Sequence, residues 1–265
     1  MNRLLLIFFF AATCGFSFLA SPARAEIKET RVQYLQGSTP LIGYSFADDS
    51  IAGPRPGILV FSDWMGVGAF GKARGKQLAA LGYRAFVADV YGNGKVAVDA
   101  KEAGSLSGGF KADRQLTRQR AEAALKELLK DPQVDKTKIG VIGFCFGGLV
   151  GLELVRSGAA INGLVSFHGA LDTPETFKAK KISGKILALH GADDPFVKPA
   201  DVSAFEEEMR QSGANWELVK YGGAVHSFTN PDAGSDNSKG AAYNPVVAKR
   251  AYEAMDDFFK EVFAN

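Results

Sequence analysis

Cysteine and histidine are scarce in this chain. Among 265 residues there are two cysteines, Cys14 and Cys145, and three histidines, His168, His190 and His226. So few thiols exclude a disulfide framework. No Cys/His spacing of the metal-ligand kind exists, so neither a metal site nor a cofactor is expected. Net charge is scarce as well, at a formal +2. That excludes a whole-molecule field suited to nucleic acid or an anionic membrane.

Long apolar runs are also missing, except at the start. Arg3 precedes the acid-free run Leu4–Ala12, and Ala23-Arg24-Ala25 is a small-x-small cleavage pattern. Residues 1–25 therefore read as a secretory signal peptide cut after Ala25, and the protein as exported, periplasmic or secreted. Apolar residues continue to Ala20, so an uncleaved anchor is the alternative. Cleavage removes Arg3 and Arg24 and no acid, which brings the bases level with the 29 acids. Cys145 is then the one cysteine left. A lone thiol in an oxidising compartment is a liability unless it is buried or used.

What remains, residues 26–265, reads as one domain without repeats or linkers. Thr30–Leu35 and Leu41–Phe46 read as two strands around a Gly37–Pro40 turn. Strands are then expected at Gly57–Phe61, Ala85–Ala88, Ile139–Ile142, Gly163–Phe167, Ile186–Leu189 and Trp216–Lys220. Helices are expected at Lys72–Gly82, Asp113–Lys130, Gly147–Arg156, Pro199–Ser212 and Pro245–Val262. An antiparallel start followed by βα alternation predicts an α/β fold with a mostly parallel sheet and helices on both faces. The Gly-rich segment 91–110 lacks periodicity and reads as a loop, either a lid over a pocket or a plain surface connection.

One motif carries chemistry. Gly143-Phe144-Cys145-Phe146-Gly147 follows a strand and opens a helix, which is G-x-S-x-G with cysteine in place of serine. The glycines allow a sharp, strained turn that lifts the nucleophile over the sheet edge. A helix N-terminus there favours negative charge on sulfur. A thiolate nucleophile needs a base and an orienting acid, in the chain order nucleophile, acid, histidine. Only His226 follows every acid candidate. His168 ends a strand and is expected to line the pocket. Of the neighbours Asp193 and Asp194, Asp194 is favoured because the proline after it biases it to extended geometry. The oxyanion hole is expected from the backbone N–H groups of Phe146 and Trp64.

At these residues the chain resembles the dienelactone hydrolase family, the cysteine branch of the α/β-hydrolases. The matching pieces are SDWMGVG, ADVYG, GFCFGG, GADDPFV and HSF, in family order. The resemblance implies an α/β-hydrolase fold and cleavage of esters or lactones through a Cys145–His226–Asp194 triad and a thioester. It also implies that Asp63 acts on the thiol, where the family carries a longer Glu; the alternative is that Asp63 only caps its loop. Two arginines that grip a carboxylate in the family are missing, since Gly92-Asn93 follows Tyr91 and Thr229-Asn230 follows Phe228. No other side chain matches arginine's bidentate grip. The expected substrate is a small ester or lactone that is not carboxylate-clamped. Tyr91, Phe196 and Phe228 are expected to join His168 as pocket walls, and the protein is expected to be a monomer.

Two other readings stand beside this one. Gly66-Val67-Gly68-Ala69-Phe70-Gly71 matches G-x-G-x-x-G after a strand, with Asp89 after the next, as in NAD(P)-dependent oxidoreductases. The scaffold could instead bind a ligand without catalysis, with Cys145 as a redox sensor.

Overall fold

The computed structural model describes residues 26–173 and 181–264, so the expected leader, residues 1–25, lies outside the described residues. The chain enters through an antiparallel pair, β1 (Ile27–Gln36) and β2 (Thr39–Asp48). There follow β3 (Arg55–Phe61), α1 (Ala69–Ala80), β4 (Arg84–Val87), α2 (Ala100–Ala112), α3 (Arg114–Leu128) and β5 (Val134–Phe144). Then come α4 (Phe146–Arg156), β6 (Gly163–Phe167), β7 (Lys185–Gly191), α5 (Pro199–Gln211), β8 (Trp216–Tyr221) and α6 (Pro245–Phe263).

The eight strands form one sheet in the order β1-β2-β4-β3-β5-β6-β7-β8. β2 joins β4 antiparallel, and every pairing from β4 to β8 is parallel. This is the expected α/β-hydrolase arrangement. Alternate residues of the inner strands feed opposite faces. Leu59 and Phe61 of β3 join one buried cluster with α3, α4 and α5. Ile58 and Val60 join another with α1 and α6. Helices therefore cover both faces, and the inner strands are apolar on both sides.

The chain runs from β3 to β4 on one side and then crosses back to β5 on the other side of β3, so the winding reverses there. Such a switch point opens a crevice at the C-terminal strand ends, where ligands bind in open α/β sheets. The segments after β3, β5, β7 and β8 all emerge there.

The expectation for 91–110 needs correction. Residues 100–112 form α2. Asp99 caps it by accepting from Glu102 N at 2.8 Å, and Glu102 accepts from Val98 N at 2.8 Å, a reciprocal start. Ala103, Ser107 and Phe110 give it one buried face. Gly104, Gly108 and Gly109 hide the helical pattern, because glycine costs about 1 kcal/mol against alanine in a helix.

Candidate active site

Cys145 stands between β5 and α4 with φ +54° and ψ −117°, a backbone state that L-residues other than glycine rarely adopt. Its N–H donates to Phe167 O at 3.1 Å, so β6 braces the turn. A Cβ on Gly143 would lie 2.2 Å from Gly147 O, and no backbone neighbour can yield that distance. The pattern of glycines around Cys145 is thus a steric requirement of the turn.

His226 lies in the loop after β8 and Asp194 in the loop after β7. Asp194 Oδ2 and His226 Nδ1 are 2.7 Å apart. The other carboxylate oxygen, Oδ1, accepts from Phe196 N at 2.9 Å, which orients the carboxylate within its turn. The far side of the imidazole hydrogen-bonds Cys145. Burial opposes charge on His226, yet its interactions with Cys145 and with the Asp194 carboxylate outweigh it, and its pKa is pushed up to about 10. The structure thus brings Cys145, His226 and Asp194 into one hydrogen-bonded line. Asp193 is exposed outside it.

The line opens into a pocket of about 520 Å³ walled by Asp63, Trp64, Phe146, Phe196 and Ala170. In the loop after β3, Met65 N donates to Asp63 Oδ1 at 3.0 Å and Gly66 N to Asp63 O at 3.2 Å. Phe146 is the first residue of α4, so its N–H has no intrahelical acceptor. Burial pushes the Asp63 carboxyl above the usual range, against the Met65 hydrogen bond and the charge of His226. Asp63 therefore caps its loop and faces the pocket at once.

Three expected wall residues stand elsewhere. Phe228 is fully buried in the core cluster beneath α1 and α6. His168 is 1% exposed, behind His226 rather than in the pocket. Tyr91 sits behind Trp64 and Phe146, donating to Trp64 O at 2.7 Å and stacking on Phe146 at 5.7 Å and 18°. Sequence periodicity put these residues at strand ends but could not tell the pocket side from the core side. Four polar or charged wall residues went unforeseen: Lys111, Ser227, Asn230 and Asp232. Lys111 was hidden with α2. The others lie in the irregular stretch after β8, which carries no periodic signal, although Ser227 and Asn230 adjoin the HSF motif.

The Gly66-Gly68-Gly71 loop has a packing role. A Cβ on Gly66 would meet Lys95 O at 2.4 Å, and one on Gly71 would meet Ser62 Oγ at 2.8 Å. The space a pyrophosphate needs is filled by protein. The Asp89 carboxylate accepts from Gly92 N at 2.8 Å, Gly94 N at 2.7 Å and Ile42 N at 3.0 Å. It holds the loop after β4 and is not presented to a ribose, so the oxidoreductase reading has no support.

Residues 42–263 match the dienelactone hydrolase family. The chain belongs to that family. A dienelactone hydrolase-like promiscuous phosphotriesterase from metagenomic libraries is 40% identical in a solved structure, with a TM-score of 0.86 over 90% of this chain and 99% of that one. An uncharacterised protein of Caenorhabditis elegans is 37% identical over 147 residues, 55% of this chain and 93% of that protein. A putative carboxymethylenebutenolidase of Synechocystis is 27% identical over 237 residues, 82% of this chain and 93% of that protein. As a dienelactone hydrolase family member the protein is a hydrolase acting on ester or lactone bonds.

Proposed function

We propose that this hydrolase cleaves uncharged esters or lactones through a covalent thioester on Cys145. The observation that carries this is the continuous line from Asp194 through His226 to a cysteine on a strained elbow, opening into the pocket. The ionised Cys145 sulfur attacks the carbonyl carbon. Charge moves to the carbonyl oxygen, which takes hydrogen bonds from the Trp64 and Phe146 amides. The C–O bond breaks as protonated His226 gives its proton to the departing alkoxide, leaving a thioester. Neutral His226 then takes a proton from water. The hydroxide attacks the thioester, the C–S bond breaks, and acid and ionised sulfur are released. Asp194 keeps the imidazole in the required tautomer throughout.

The pocket supports an uncharged substrate. Among the described residues its charged side chains besides His226 are Asp63, Asp232 and Lys111, with no arginine among them. Two carboxylates repel an anionic group, and the lysine is a single point donor, not a bidentate clamp. An uncharged phosphotriester meets the same requirement, as the name of the metagenomic relative records for that protein.

The test is hydrolysis of p-nitrophenyl acetate, a neutral lactone, a carboxylated lactone and a neutral phosphotriester by wild type, Cys145→Ala and His226→Ala. Both variants should lose activity by about 10²- to 10⁴-fold. Full activity in Cys145→Ala would end the nucleophile assignment. We infer further that residues 1–25 are a leader for export, which amino-terminal sequencing of the secreted or periplasmic protein checks, and that the protein is monomeric, which light scattering checks.

A further inference from the structure

Four described residues other than glycine have φ in the left-handed region, and three of them, Cys145, His168 at +39° and Ser227 at +57°, stand together at the C-terminal strand ends. Strain of this kind persists only where the surroundings enforce it, and it clusters at functional sites. Cys145 is accounted for by the elbow and Ser227 by its place beside His226. His168, at the end of β6, is not.

We propose that His168 is a positioning residue: anchored through Thr229, its buried ring holds the His226 imidazole in the orientation that serves Cys145. The His168 and His226 rings meet edge to face at 5.3 Å and 63°. Phe196 meets His226 from the pocket side at 5.4 Å and 89°. His226 is therefore clamped between a buried ring and an exposed one, with Asp194 gripping only its Nδ1. Rotation about that single hydrogen bond would swing the opposite nitrogen away from the sulfur, and the two rings block it.

The inner jaw is itself fixed. His168 Nε2 lies 2.8 Å from Thr229 Oγ1, three residues beyond His226, so one contact ties the ring to the catalytic loop. Thr229 in turn hydrogen-bonds Tyr252 of α6, which accepts from Arg74 of α1 at 2.6 Å. Phe228 closes the other side at 5.0 Å. His168 Nδ1 is buried and meets no other described residue's polar group, only its own backbone. Burial and the charge of His226 both keep the His168 ring neutral, so it adds no competing charge. The groups facing His226 are Cys145, Asp194 and Asp63, with His168 against its inner side; His190 faces His168 from β7.

This rests on the triad reading, so the experiment separates the two. Thr229→Val removes only the anchoring hydroxyl, and His168→Phe keeps a ring but not its anchor. The His226 ring nitrogens are titrated by NMR in each variant, assigned with His226→Gln, and kcat and KM for p-nitrophenyl acetate are measured alongside. Both variants should lower kcat roughly tenfold or more with KM unchanged. Both should also move the His226 titration down by about one unit, as its contacts with Cys145 and Asp194 loosen. A fall in melting temperature with kcat and the His226 titration unchanged in Thr229→Val would overturn the proposal. A titration shift in a protein whose Cys145→Ala form stays fully active would uphold His168 while removing the nucleophile reading.

Discussion

A Cβ on Gly147 would lie 2.2 Å from the carbonyl oxygens of both Phe61 and Ser62. Nothing there is a flexible side-chain end, so Gly147→Ala should lower unfolding free energy by about 1–3 kcal/mol or more, as read by urea denaturation. At the same scale, the proton on His226 links the site to pH. Its folded-state pKa of about 10 lies above the ordinary imidazole value near 6.5, so folding favours the proton. That contribution is complete below about pH 6.5 and is lost as pH rises through about 10. The stability difference between wild type and His226→Gln should therefore shrink from about pH 7 to about pH 10; a constant or widening difference would contradict it. Cys145→Ala should pull the His226 titration down, because the sulfur's charge is its main favourable support.

Among the elements, α2 and the stretch after β8 separate what was legible from what was not. Cys145, Asp194 and His226 could be read because each sits in a short motif whose residues are chosen by local geometry. α6 could be read because its apolar face repeats with helical period, and α4 because it follows the glycine-flanked cysteine motif. α2 could not, because three glycines break its pattern and its stability comes from caps and from Phe110 packing on Tyr91 and Phe146. Cβ atoms on Gly108 and Gly109 would meet nothing within 4 Å. Alanine at each should therefore stabilise the protein by about 0.4–1 kcal/mol, measured by denaturant midpoint. No gain, or a loss, would mean that these glycines serve movement of the helix that carries Lys111.

For the whole molecule, the helical face behind Cys145 is bound by buried charge. Arg156 of α4 donates to Glu208 of α5 at 2.8 and 2.6 Å and to Glu153 of its own helix at 2.9 Å. Glu153 also accepts from Arg118 of α3 at 2.7 Å and Arg114 of α3 at 3.4 Å. Arg156 and Glu153 are wholly buried. Arg156 thus bridges carboxylates on α4 and α5, and Glu153 ties α4 to α3 as well. Arg156→Ala would leave Glu208 without its cation, while Glu153 keeps Arg118 and Arg114, and thermal or urea unfolding should show a loss of about 3–5 kcal/mol. Replacing the cluster together with apolar residues should cost much less, because no buried charge is then left unpaired.

The sequence by itself determined the class of fold, the cysteine on its elbow, and the order of acid and histidine behind it. Those depend on local geometry and on period, which neighbours along the chain specify. Tertiary structure alone decided which strand-end side chains face the pocket. His168, Tyr91 and Phe228 all sit in motifs at or beyond strand ends, yet they turn inward because Thr229, Trp64 and the core receive them. That choice is made by packing between elements far apart in the chain, and no single segment records it.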